Sequence, residues 1–358
     1  MGKTVIPFGP QHPVLPEPLH LKLVMQDERI VEAIPAIGYV HRGLEKLTEI
    51  KDFTQNVHVV ERICGICSFM HAMSYCKCIE NIMNIQIPDR AKYLRVIWAE
   101  IHRMHSHLLW LGLLADAFGF ESLFMQVWRN REKVMDIMEE TAGSRIFLSA
   151  NTIGGTRKDL TKEMLVKIQV ILDEIESDLK QIESVFLNDY TVKHRLVGVG
   201  VLTKEDAYKL GATGPMAKAS GLKTDMRTTG YEAYGELDFE PIVHTDGDSY
   251  ARTVVRIKEV YQSIDLVRQC IAKLPEGEIS VPVKGNPKGE AVVRVEQPRG
   301  EVLYYVRANG TKNIERLRVR TPTFANIPAL LHMLPGSQLA DVPILILTID
   351  PCISCTER

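Results

Sequence analysis

Between about Phe53 and Ala150 apolar residues recur at mixed spacings of three and four, the period of one helix face. The pattern divides into a stretch from Cys67 to Ile85 and a longer one from Asp89 to Ala117, opened by Pro88 with Asp89 placed as a cap. A third stretch runs from about Ser122 to Thr141. Gly154-Gly155 breaks the period, which resumes from Leu160 to Phe186 and again from Asp248 to Ala272. Few turn residues interrupt these stretches, so the spacing predicts long helices packed along their lengths in a bundle.

The two ends of the sequence read differently. Residues 1–17 are punctuated by proline and are expected to be irregular. Leu19 to Val24 alternates, Gln26-Asp27-Glu28 makes a turn, and Arg29 to Ile34 returns, which predicts a hairpin. Gly38 to Glu45 is a loop entering a helix. Residues 195–247 are glycine-rich and read as irregular. Val281 to Val306 alternates in the strand manner, interrupted at Pro298-Arg299-Gly300. Phe324 to Leu334 reads as a short helix. The apolar run from Val342 to Ile349 fits a buried strand. The expected fold class is mainly α: one domain over 1–358, with β and loop at 1–52, a helical bundle at 53–275 and β and loop at 276–358.

Composition narrows the functional classes. Apolar content is 45% and charged content 25%, ordinary for a globular protein, and the formal net charge is −2. Bulk charge therefore implies neither nucleic acid nor an anionic membrane surface. No N-terminal targeting segment is expected, and no apolar run approaches the roughly 20 residues of a membrane span. Membrane association is expected to come through partners. The seven cysteines read as reduced, intracellular thiols.

Four of those cysteines form two C-x-x-C pairs, Cys64-Gly65-Ile66-Cys67 and Cys352-Ile353-Ser354-Cys355. Four thiolates suffice to enclose a soft metal. Each pair alone is equally a zinc half-site or a redox dithiol. Zinc ribbons place their pairs roughly 15–20 residues apart, whereas almost the whole chain separates these. The βαβ frame of a thioredoxin-like motif is absent. Gly65 removes a side chain between two ligands, and Pro351 fixes the approach to the second pair.

The contexts of the pairs carry a resemblance. Arg62-Ile63-Cys64-Gly65-Ile66-Cys67 together with Asp350-Pro351-Cys352-Ile353-Ser354-Cys355 resembles the large subunit of nickel–iron hydrogenases. Gly9-Pro10-Gln11-His12-Pro13, His41-Arg42-Gly43-Leu44-Glu45-Lys46, the stretch from Glu100 to Gly119 and Gly143-Ser144-Arg145 are similar to the quinone-site subunit of respiratory complex I. So are Gly211-Ala212-Thr213-Gly214-Pro215 and Gly247-Asp248-Ser249-Tyr250-Ala251-Arg252. The group that combines both sets is the membrane-bound, energy-converting hydrogenases, and the Ech-type catalytic subunit is the nearest in pattern.

That resemblance implies reversible heterolytic H2 cleavage and proton reduction at a site where Cys64, Cys67, Cys352 and Cys355 hold nickel. Cys67 and Cys355 would also bridge to an iron carrying CO and CN. It implies Cys352 as first proton acceptor and Glu17 as the carboxylate that takes the proton onward. It implies Arg299 over the open site beside Pro298, with Thr323 as a second contact to the diatomic ligands and Asp116 as partner of Arg299. Glu45 matches a ligand of a third metal such as magnesium. Arg358 stands where those enzymes carry a further histidine ligand, so the magnesium site stays open, with the proton route or a pair with Arg42 as alternatives. With only Cys76, Cys78 and Cys270 left over, no iron–sulfur cluster is expected in this chain. The implied partners are a small subunit with a 4Fe–4S cluster, a ferredoxin-like iron–sulfur subunit, ferredoxin and integral membrane ion-translocating subunits. They would place the chain peripherally on the cytoplasmic side of the cell membrane. The rival readings are a non-catalytic complex I-like coupling subunit with a structural zinc, and a hydrogenase module of a formate- or CO-oxidising complex.

Four further features invite explanation. His12 is expected to be structural or interfacial rather than a quinone ligand. His102 and His105 share a helix face and read as a surface or interface pair. Cys76, Cys78 and Cys270 fit buried helix positions. Arg252, Arg256 and Glu259 are spaced to meet along a helix, as an ion network or as part of proton coupling.

Overall fold

The computed structural model describes residues 2–358. The order is β1 (Thr4–Phe8), β2 (His20–Gln26), β3 (Arg29–Ala36), α1 (Leu44–Ile50), α2 (Asn56–Glu61), α3 (Ser68–Met83), α4 (Asp89–Ala117), α5 (Glu121–Ala142), the two-residue strands β4 (Asn151–Thr152) and β5 (Gly155–Thr156), and α6 (Lys162–Asn188). There follow α7 (Tyr190–Leu196), α8 (Lys204–Lys209), α9 (Pro215–Ala219), α10 (Ser249–Lys273), β6 (Lys288–Gln297), β7 (Gly300–Asn309), β8 (Ile314–Arg320), α11 (Pro322–Met333), α12 (Val342–Thr348) and α13 (Ile353–Glu357).

The long helices form where the apolar period placed them, because each can bury a face. α4 is the axis. Its residues are buried almost throughout, and α3, α5, α10 and α12 pack around it. Trp98 and Trp110, both on α4, are among the largest fully buried side chains. Burying each such ring stabilises the fold by about 2–3 kcal/mol. Local chemistry sets the ends. Thr161 caps α6 by accepting the Met164 N–H at 3.3 Å, and Asp248 caps α10 by accepting the Ala251 N–H at 2.7 Å. Asp89 does not cap α4: Pro88 occupies that position and Asp89 pairs instead with Lys92 at 2.7 Å.

Two three-stranded antiparallel sheets flank the bundle, in the orders β1-β2-β3 and β6-β7-β8. The first extends the expected hairpin by a strand, because Thr4–Phe8, read as irregular, pairs with Met25 to Leu21. In the second, Gln297 pairs with Gly300 across a two-residue turn, Pro298-Arg299, and β8 completes the sheet. That turn is pinned from outside: the Glu301 N–H donates to Thr213 Oγ1 at 2.8 Å.

Two expectations fail here. Residues 195–247 contain the end of α7, two short helices, α8 and α9, and two 3-10 turns, although loops dominate. Val342 to Ile349 is not a strand: α12 covers Val342–Thr348. A run of apolar residues buried on all sides has no period to read, and neighbours on every face let it coil. The arrival of the second cysteine pair is therefore on helix and turn.

The buried residues form a large cluster among the helices and a second one joining β1 to β3 with α11 and α12. Cys64, Cys67, Cys352 and Cys355 belong to the first, while Ile349 and Ile353 belong to the second. The second cysteine pair thus lies on the seam between them. Among the described residues, no helix is long and apolar enough to cross a membrane.

Candidate metal centre

The first pair sits in the bend between α2 and α3, with Cys67 at the N-cap of α3. The second sits at Cys352, the N-cap of α13, and Cys355 within it. Asp350 enters that turn in the left-handed region, at φ 52°, and Pro351 follows it. Cys64 Sγ lies 3.1 Å from Cys352 Sγ, and Cys67 Sγ lies 3.3 Å from Cys355 Sγ, each pair 288 residues apart in sequence. All four thiols are buried and free. The sulfurs of Cys64, Cys67 and Cys355 lie within 4.8 Å of one another. A Cβ on Gly65 would sit 3.3 Å from Ile146 Cγ2, so the small residue also lets the bend pack closely.

Hydrogen bonds hold the second pair in place. Thr323 Oγ1 accepts the Cys352 N–H at 3.1 Å, and Thr356 Oγ1 donates to the Cys352 carbonyl at 2.9 Å. Glu17, from the loop between β1 and β2, accepts the N–H groups of Ile353 and Ser354. Burial pushes its carboxyl up to about 8, and the Cys352 sulfur adds to the shift against Arg299 and the two N–H bonds. Contact with Cys352 and the other thiols brings the Cys64 thiol well down, while burial pushes Cys67 and Cys355 well up.

Arg299 is buried at the tip of the β6–β7 turn. Its guanidinium pairs with the Asp350 carboxylate at 2.8 Å and donates to the Asp350 carbonyl at 2.9 Å. Burial opposes its charge, but Asp350 and the thiols Cys352, Cys64 and Cys67 hold its pKa well above the usual arginine range. The expected partner, Asp116, is exposed on α4 and lines a different cavity with Pro13, Leu15 and Pro16. Asp350 takes its place because it shares the cysteine turn. Pro298 is buried beside Arg299. Glu17, Ile66, Trp110, Arg299, Asp350 and Pro351 border a cavity of about 250 Å³ next to the thiols.

His71 was not singled out by the sequence. Its Nε2 lies 3.3 Å from Cys355 Sγ and its Nδ1 2.6 Å from the Tyr304 hydroxyl. Burial lowers its pKa to about 3, so the ring is neutral. Its position one turn past Cys67 on α3 was the available signal.

Glu45 lies away from the thiols. It pairs with Arg358 Nε at 2.9 Å and with Arg318, and accepts the Val319 N–H at 3.0 Å. Two guanidinium groups and an amide already satisfy this carboxylate, so the donor set does not fit a magnesium ion. Nor does Glu45 pair with Arg42, whose guanidinium donates to the carbonyls of Arg62, Ile63 and Ser354. Four buried sulfurs, by contrast, fit a soft or borderline metal such as nickel or iron.

The other singled-out residues fall outside the centre. His12 stacks on Phe8 with ring centroids 4.3 Å apart and accepts the Val14 N–H, a structural place. His102 and His105 are not on the surface: both are buried, 5.4 Å apart, because α4 is enclosed on every side. Cys76, Cys78 and Cys270 are buried in helices as expected. Arg252, Arg256 and Glu259 form no ion pair with one another, although Arg256 Nη1 donates to the Arg252 carbonyl at 3.2 Å. Arg252 donates to the carbonyls of Gly200 and Gly247, and Arg256 lies over the Trp110 ring. Glu259 joins His107 at 2.7 Å and Lys218.

A helical scaffold gathers two distant thiol pairs beside one cavity, a donor set that fits a soft metal. Residues 117–284 and 282–358 match the family model for the 49 kDa subunit of respiratory-chain NADH dehydrogenase, and residues 42–118 that for nickel-dependent hydrogenase. The chain is 40% identical to the carbon monoxide-induced hydrogenase of Rhodospirillum rubrum, with 100% of each covered. It is 38% identical to the membrane-bound hydrogenase subunit alpha of Pyrococcus furiosus, over 99% of this chain and 87% of that one. It is 34% identical to a subunit of the F(420)H(2) dehydrogenase of Methanosarcina mazei, over 100% of this chain and 98% of that one. The chain belongs to the nickel–iron hydrogenase large-subunit family, in its membrane-bound group related to the complex I 49 kDa subunit.

Proposed function

We propose that this chain is the catalytic large subunit of an energy-converting nickel–iron hydrogenase that oxidises H2 and reduces protons reversibly. The observation that carries the reading is the closure of Cys64 on Cys352 and of Cys67 on Cys355, at 3.1 and 3.3 Å. A structural zinc in a coupling subunit would close four thiols on one ion, whereas the cavity beside these suits a site that keeps an open position.

Cys64, Cys67, Cys352 and Cys355 would together hold nickel and an iron bearing CO and CN. When bound, that group supplies Lewis acidity for the heterolytic splitting of H2 and a store for its electrons. The chain supplies the rest. Cys352 accepts the first proton, and Glu17, in contact with the backbone of the next two residues, relays it outward. Its raised pKa suits exchange near neutral pH. Arg299 keeps a fixed positive charge at the cavity wall, and with Pro298 and Thr323 it would contact the diatomic ligands. His71 holds Cys355 from behind.

Cys76, Cys78 and Cys270 are scattered in the helices, so electrons leave through a partner. A small subunit with a 4Fe–4S cluster, then a ferredoxin-like subunit and ferredoxin, would carry them. Integral membrane subunits would couple the step to ion transport and hold the chain on the cytoplasmic face. The full-length match to a carbon monoxide-induced hydrogenase favours, as a second reading, a module linked to CO oxidation; co-purification of CO-oxidising activity tests it. For the main reading, metal analysis and infrared spectra of the purified complex are decisive. Nickel, iron and bands of iron-bound CO and CN are expected together with H2 evolution from a reduced dye. Zinc in their place would overturn it.

A further inference from the structure

We infer that the loop Gly38–Arg42 and the buried carboxylate of Glu357 form a clasp that holds the two cysteine pairs closed on each other. Glu357, at 6% exposure, lies two residues past Cys355. Its Oε1 accepts the Gly38 N–H at 2.7 Å and its Oε2 the Val40 N–H at 2.5 Å. Its carbonyl oxygen lies 2.5 Å from His41 Nδ1, which donates to it. A carboxylate that accepts backbone N–H groups out of water makes strong, directional bonds.

The same loop reaches back to both pairs. Arg42 donates to the carbonyls of Arg62 at 3.0 Å and Ile63 at 2.7 Å, immediately before Cys64. It also donates to the Ser354 carbonyl at 3.1 Å, between Cys352 and Cys355. One guanidinium therefore ties the two cysteine turns to each other without touching a sulfur. Its planar fork can satisfy three carbonyls in fixed directions, which a lysine cannot do. Glu357 and Arg42 are positioning residues: they fix where the thiols stand, and neither contacts the place of the metals.

Without the clasp, the segment carrying Cys352 and Cys355 keeps its ties to Glu17, Thr323 and Arg299 but opens locally more often, while the bundle stays folded. The inference rests on the four thiols forming one ligand set, but its test needs no metal. The nickel-free full chain is exposed to iodoacetamide, and modification of each cysteine is followed by mass spectrometry. Glu357→Ala should speed alkylation of Cys64, Cys67, Cys352 and Cys355 about tenfold or more, the opening expected from losing a buried charge-assisted acceptor. Glu357→Gln, which keeps an acceptor oxygen, should recover part of the protection. Arg42→Ala should act in the same direction and more weakly, because its side chain is partly in water. Cys76, Cys78 and Cys270 serve as internal standards for global unfolding and should stay protected. Wild-type rates at the four thiols in Glu357→Ala would overturn the clasp. So would acceleration of all seven cysteines together, which would make Glu357 a support of the whole fold. Missing infrared bands in the complex would be a separate failure, of the metal assignment alone.

Discussion

Glu296→Gln isolates the behaviour of a buried ion network between α4, α9, α10 and β6. Lys218 is fully buried and faces three carboxylates: Asp225 at 2.9 Å, Glu259, and Glu296 at 3.6 Å. Arg227 shares Asp225 at 2.8 Å and Glu100 at 3.3 Å, and Arg103 adds a second cation to Glu100 at 3.1 Å. Glu296 is the least well held, and its Oε1 has no hydrogen bond. Burial, then the negative charge of Asp225, raise its pKa from 4.5 to about 7, against Lys218, the Met226 N–H and Arg103. A raised carboxyl means that above pH 4.5 the unfolded chain has lost its proton while the folded chain keeps it. Stability therefore falls as pH rises from 4.5 and stops falling near 7. A shift from 4.5 to about 7 corresponds to roughly 3 kcal/mol. Gln cannot titrate, and its amide oxygen can still accept the Met226 N–H. The stability of Glu296→Gln relative to wild type should therefore rise by that amount between pH 4.5 and 7 and stay level above. Urea unfolding at half-unit pH steps, followed by circular dichroism, measures it. Parallel curves for the two proteins across this range would refute the reasoning.

Three further outcomes follow from the geometry. Glu17→Gln should lower H2 turnover by a factor of about 100 or more while nickel content and the infrared bands stay unchanged; undiminished turnover would remove Glu17 from the proton path. Gly214→Ala should cost about 3 kcal/mol or more in thermal unfolding, since the residue has φ +62° and its Cβ would lie 2.3 Å from the Arg299 carbonyl oxygen, whereas Gly119→Ala, with φ +73° and nothing within 4 Å, should cost only about 1. Equal costs at the two glycines would show that the approach to Arg299 does not matter. Arg95→Met should destabilise by about 3–5 kcal/mol, because the fully buried guanidinium pairs with Glu80 at 2.6 Å and Glu232 at 3.2 Å. Adding Glu80→Gln should restore part of that loss in chemical denaturation, and no recovery would argue against an uncompensated charge.

What could be read in advance was whatever repeats locally. The Asp89–Ala117 helix was legible to the residue because α4 keeps its period and is opened by Pro88. The hairpin of β2 and β3 was legible from alternation and a polar turn. α12 was not, because Val342 to Thr348 is buried nearly all round and shows no face. β1 was hidden by Pro7 within it and Pro10 just beyond it, in a strand whose partners are in β2. At the site, the four cysteines, Glu17, Arg299 and Thr323 came together from motifs. Asp350 as the partner of Arg299, His71 behind Cys355 and Glu357 against Gly38 required three-dimensional proximity between segments far apart in sequence. His102 and His105 were misplaced for the same reason. A helix that serves as the axis of a bundle has no outer face, and only its neighbours reveal that.

The separation of the thiol pairs has a consequence in time. Cys355 follows Cys67 by 288 residues. At a synthesis rate of about 5–20 residues per second, a ribosome needs roughly 15 to 60 s to pass from one to the other. Throughout that interval the nascent chain presents two thiols without their counterparts. The site itself can then offer a passing zinc ion only half a coordination sphere.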